Sequence, residues 1–75
     1  MTALDVRSIP PANRHPTIHE AFQSLESGES LTIINDHEPK PLFYEFQAEM
    51  DSFDADGYVV EEVKRGKFVA EFPKK

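Results

Sequence analysis

Three histidines carry the first chemistry the chain offers. His15 and His19 stand four residues apart in "RHPTIHEAFQSL", and His37 follows in "NDHEPKP". Imidazoles at i and i+4 on a helix can face one ion, and His37 with Asp36 or Glu38 beside it would complete three or four ligands. Zinc, iron or copper suits such a mixed imidazole and carboxylate set. The same stretches hold Arg7, Arg14 and Lys40. With the free N–H groups of helix N-termini, these cations form a second candidate site, for a phosphate, a carboxylate or a sulfur oxyanion. The two chemistries oppose each other, because the partial positive charge of a helix N-terminus favours the anion and repels the metal, while Asp36 and Glu38 offset that field. A third account is architectural. Asn35 or Asp36 caps a turn, His37 bonds a backbone carbonyl, Arg7 pairs with an acid such as Asp36, and His19 lies half-buried on a helix flank.

The elements around these residues follow from periodicity. "ALDVR" alternates, with Leu4 and Val6 on one side, and reads as a half-buried strand. "SIPPAN" stops it, since Pro10 and Pro11 cannot donate to a ladder. A helix is expected from Arg14 onward, with Asn13 as its N-cap and Pro16 in the first turn, where a missing N–H costs nothing. Ile18, Ala21, Phe22 and Leu25 form its apolar face, and Gly28 is expected to end it. "LTIIN", residues 31–35, is β-branched and apolar enough for a more buried strand. A second helix begins near Pro39 or Pro41, with Leu42, Phe43, Phe46 and Met50 inward and Tyr44 and Glu45 outward or at the edge. "DSFDADG" is read as a loop. Two strand-like runs, 58–64 and 67–72, then flank "KRGK", where Gly66 can supply the positive φ of a tight hairpin turn.

The order is therefore β-α-β-α-β-β. Right-handed crossovers place both helices on one face of the sheet, which predicts an α/β (α+β) two-layer sandwich: a four-stranded mixed sheet under two helices. In that topology "RSIPPANRH" and "NDHEPKP" share the edge at the carboxyl ends of parallel strands, where open α/β sheets bind ligands.

Seventy-five residues with no cysteine suit one small domain without disulfides, thiolate metal sites or a thiol nucleophile. Eight aromatic residues, six of them Phe, supply the core. The formal charge of −6 works against nucleic acid or an anionic membrane as partner, and no run is long enough for a membrane span or a signal core. A cytoplasmic location is the default expectation, and a salt-rich cytoplasm is one account of the acid excess. "EPKP" is expected to set the start of the second helix rather than to serve as a polyproline ligand. The chain has no Gly-rich phosphate loop and no nucleophile elbow.

The pieces "LDVR", "PP..RH", "L..GESL" and "NDH.PKPL...F..E", spanning residues 4–49, resemble the family known as domain of unknown function 2249, with the hairpin contributing little. That family in turn resembles the SirA/TusA-like sulfur carriers, which share the β-α-β-α-β-β order. The carriers place a Cys-Pro-x-Pro motif after the first strand. Here the matching stretch is "IPPANRHP", with no thiolate to carry a persulfide, so the resemblance implies the fold and not sulfur relay. It also implies a neighbourhood of hemerythrin-like, redox or nitrogen-oxide-related proteins as partners. The expected function is that of a binding or accessory module rather than an enzyme, acting through Arg14, His15, Asp36 and His37 on a protein partner or a metal or redox centre. The alternatives are metal or small-anion binding, or a transfer role with His15 or His37 as acid/base in a site completed by a partner.

Overall fold

A computed structural model describes residues 2–75. Strand β1, Thr2–Asp5, pairs in parallel with β2, Ser30–Asn35, and the register sets Leu4 beside Ile33. Val6 lies just past β1, yet its N–H still donates to the Ile34 carbonyl at 3.0 Å and its side chain is fully buried. Helix α1, Pro11–Gln23, connects the two strands. It begins earlier than expected: Pro10 is the N-cap and Pro11 the first helical residue, the position at which a proline ring fits best, so Asn13 lies inside the helix. Pro16 consequently sits in the helix interior, where it removes the amide that would bond the carbonyl four residues back.

The far end of α1 also differs from expectation. The helix stops at Gln23, with the Ser24 hydroxyl donating to the Glu20 carbonyl at 3.0 Å. Gly28 has φ +88° but belongs to the turn that follows, where its N–H donates to the Lys74 carbonyl at 3.0 Å and ties that turn to the C-terminal segment.

Helix α2, Lys40–Glu49, starts between the two expected prolines. The stretch after it contains one 3-10 turn, Ala55–Gly57, in what reads as loop from sequence. Strands β3, Val59–Lys64, and β4, Lys67–Pro73, form the hairpin, with Gly66 at φ +79°. The strand order is β1-β2-β4-β3, with β4 antiparallel to both neighbours. This is the expected α+β arrangement: a four-stranded mixed sheet and two helices. Among the described residues, no helix is long and apolar enough to cross a membrane.

Alternate residues of the sheet, Leu31, Ile33, Ala70 and Phe72, form one buried cluster with Ile18 and Phe22 of α1 and Leu42 and Phe46 of α2. Both helices therefore cover one face. Phe46 is the hinge of this packing, with ring centroids 4.9 Å from Phe22, 5.5 Å from Phe53 and 5.2 Å from Phe72. Each Leu, Ile or Phe of the cluster removed from water contributes about 1.5–3 kcal/mol, and the cluster fixes α1 and α2 relative to the ends of β1 and β2.

Candidate functional site

Arg14 projects from the first turns of α1 and joins the two loops that leave β1 and β2. Its Nε donates to the Ile9 carbonyl at 2.9 Å and its Nη2 to the Arg7 carbonyl at 3.3 Å, both in the first loop. Toward the second loop, Nη1 donates to Asn35 Oδ1 at 3.3 Å and Asp36 Oδ1 at 3.2 Å, and Nη2 to Asp36 Oδ2 at 3.4 Å. A guanidinium has five N–H groups, and all are engaged here. Arg14 is thus a clasp between loops, and its charge is met by Asp36.

Asp36 holds a second partner, the Nδ1 of His37 at 2.7 Å. That bond and the Arg14 pairing, in this order of size, draw the Asp36 carboxyl below its ordinary range. An ionised carboxylate only accepts hydrogen bonds. Nδ1 of His37 must therefore carry the proton, which in the neutral ring leaves Nε2 as an acceptor.

Asn35 closes β2 on its core-facing side and is 5% exposed. Its Oδ1 accepts from Arg14 and from the Asp36 N–H at 2.9 Å. Two donors on one atom fix the orientation of the amide, and among the described residues Nδ2 donates to no partner.

These groups border a pocket of about 180 Å³ lined by Pro11, Arg14, His15 and Ile18 from α1 and by Asn35, His37, Pro39, Pro41 and Leu42 from the second loop and α2. The prolines, Ile18 and Leu42 make its walls apolar. The pocket lies at the carboxyl ends of the parallel strands, as the topology predicts.

The remaining candidate residues separate from it. Arg7 folds back on Asp5, with Nη2 to Oδ2 at 2.8 Å, which holds the Asp5 carboxyl down to about 2. Lys40 pairs with Glu38 at 3.3 Å. His19 packs its ring 4.7 Å from Phe46 and bonds Glu45 through Nε2, half-buried as the helix-flank account expects. His15 lies nearer the opening, its Nδ1 3.5 Å from the other Glu45 oxygen. The arrangement thus brings His15 and His37 to one pocket with Arg14 and turns His19 toward α2. Among the described residues, no three His, Asp or Glu side chains are grouped so as to hold a metal ion.

Two participants escape the sequence reading in part. Asn35 is legible as a cap, but its burial is signalled only by its place two residues beyond Ile33 and four beyond Leu31 on one strand face. Glu45 is read as outward or edge-lying, yet it lies three residues after Leu42 and meets both α1 histidines across the helix pair.

Fold and site together define a two-layer α+β domain with a proline-walled pocket between its two strand-to-helix loops. The chain belongs to a family of uncharacterised conserved proteins, DUF2249, whose model matches residues 3–74. The match takes in the β3–β4 hairpin as well as the residue 4–49 motifs that carry the resemblance. No curated protein and no solved structure matches the chain.

Proposed function

We propose that the protein is a non-catalytic binding module that docks on a protein partner and receives a small group of that partner in the pocket beside His15 and His37. The observation that carries this reading is the pocket itself. Residues twenty-two positions apart, His15 and His37, line one opening whose two sides are clasped by Arg14, so the site is preorganised before anything binds. Preorganised apolar walls with a few fixed polar groups are the ordinary composition of a recognition pocket. The experiment is site-specific photocrosslinking in the native cell. A crosslinker at the exposed Pro41 on the rim captures one defined protein, and His37→Ala lowers the yield at least tenfold, whereas a crosslinker at Glu61 on β3 does not capture it. Equal capture from both positions removes the proposal.

One observation favours a metal or redox centre as the second reading. An imidazole held by a carboxylate through Nδ1, as His37 is by Asp36, is oriented for ligation through Nε2. His15 and His37 would supply two ligands to zinc, iron or copper, and the partner the others. Incubation with each ion, desalting and elemental analysis test it: near-stoichiometric retention, lost in His37→Ala, supports a centre, and no retention with any partner-free or partner-bound sample rejects it.

A further inference from the structure

We infer that the group received in the pocket is a neutral amide, the carboxamide side chain of a residue of the partner. This rests on the reading of the pocket as a docking site and adds the chemistry of what enters it. Three features of the walls carry the inference.

The first is a donor. Asn35 is 5% exposed and lines the pocket. Its Oδ1 is saturated by Arg14 and the Asp36 N–H, and its Nδ2 has no hydrogen-bond partner among the described residues. Among the described residues, the side-chain atoms sealed from solvent without a partner are Thr32 Oγ1 and Tyr58 Oη. Nδ2 is therefore reached from outside, and the pocket is the opening that its residue lines. A buried amide N–H fixed in direction and left open asks for an acceptor such as a carbonyl oxygen.

The second is an acceptor. Nδ1 of His37 is committed to Asp36, so the neutral ring offers the lone pair of Nε2. That nitrogen takes an N–H. Donor and acceptor on one lining match the C=O and N–H of one amide.

The third is charge. Every N–H of Arg14 is engaged, Lys40 pairs with Glu38, and Glu45 lies behind His15. A carboxylate or phosphate entering here would find both of these cations already paired, with the Asp36 carboxylate bonded to His37 and the Glu45 carboxylate beside His15. A dication would find two imidazoles at most. The cavity of 180 Å³ matches about six waters' share of liquid volume, room for one small side chain against the prolines but not for a folded segment.

The test uses isosteric probes on the full chain. Propionamide and sodium propionate are titrated separately, at matched ionic strength, while ¹H–¹⁵N spectra follow the backbone and the Asn35 side-chain amide. The expected result is saturable shifts of the Asn35 Nδ2 protons and of the His15 and His37 amides with propionamide, at about millimolar affinity, and at least tenfold weaker binding of propionate. Asn35→Asp exchanges the donor for an acceptor and should weaken the propionamide response at least tenfold. His37→Phe, which leaves the Arg14 clasp in place, should do the same if the first variant fails to fold. Propionate binding as tightly as propionamide, shifts centred away from Asn35, or an unchanged response in a folded variant each overturn the inference. The outcomes separate from those of the docking proposal. Rim crosslinking to a partner without propionamide binding leaves docking and removes the amide, and propionamide saturation without a crosslinked partner does the reverse.

Discussion

Arg14 and Asp36 show how one pair of side chains can do structural work at a site without supplying its chemistry. From the sequence, Arg14 is a free cation for an anion. In the fold, its side chain is 11% exposed and its fork is spent across both loops. Arg14→Lys keeps the charge and loses the planar fork, so it should cost about 1–3 kcal/mol in urea unfolding, whereas Arg7→Lys, whose exposed partner is two residues away, should cost markedly less, because solvent screens that pair. Equal costs would refute the clasp. The acid response follows from the carboxylates. Asp36 is drawn down by His37 and Arg14, and Asp5 from 3.8 to about 2 by Arg7. A carboxyl lowered on folding adds stability above its unfolded value and loses that contribution as pH falls through its folded value. Stability should therefore decline from about pH 4 downward, and Asp36→Asn should flatten part of that slope. A slope unchanged in Asp36→Asn would mean that the clasp does not depend on ionisation of Asp36.

At the scale of elements, α1 holds the clearest conflict between local rules. Three prolines compete for the first helical position, and Pro11 takes it, which strands Pro16 in the interior. The sequence pattern starts the helix at Arg14, with Asn13 as N-cap, because it grants the first turn to Pro16. The packed face decides otherwise, since Ile18 and Phe22 must meet the sheet while Arg14 reaches both loops. Pro16→Ala should restore the missing hydrogen bond and raise stability by about 1–3 kcal/mol, measured by thermal unfolding, and a lower midpoint would show that the ring is needed for packing at the pocket. Gly28 departs from the sequence pattern for a related reason. Positive φ marks a turn wherever it falls, and here the residue serves the step into β2 rather than the end of α1. Strand and helix identities, by contrast, were legible because period-2 and period-3.6 patterns run through whole segments. The exposed edge β3 carries Glu61 and Glu62 in mid-strand, charges that oppose edge-to-edge pairing with another copy.

For the whole molecule, the question is how so short a chain keeps a pocket open while staying folded. A domain of this length has about 4–11 kcal/mol of stability in all, and the cluster around Phe46 joins both helices to the sheet and to Phe53. The core was legible as a list of apolar positions, and its direction was legible from topology. The pocket was legible only as an edge, because whether His15 meets His37 depends on the distance between two helix starts, which that packing sets. Core and pocket should therefore respond in opposite ways. Phe46→Ala removes a fully buried ring at a cost of about 3–5 kcal/mol, enough to leave much of the population unfolded at room temperature by circular dichroism. His37→Ala alters a ring that is 62% exposed and should move the unfolding free energy by no more than about 0.5 kcal/mol, while abolishing whatever the pocket holds. If His37→Ala destabilised the domain as Phe46→Ala does, the pocket would be part of the core's support, and its histidines would be explained by folding alone.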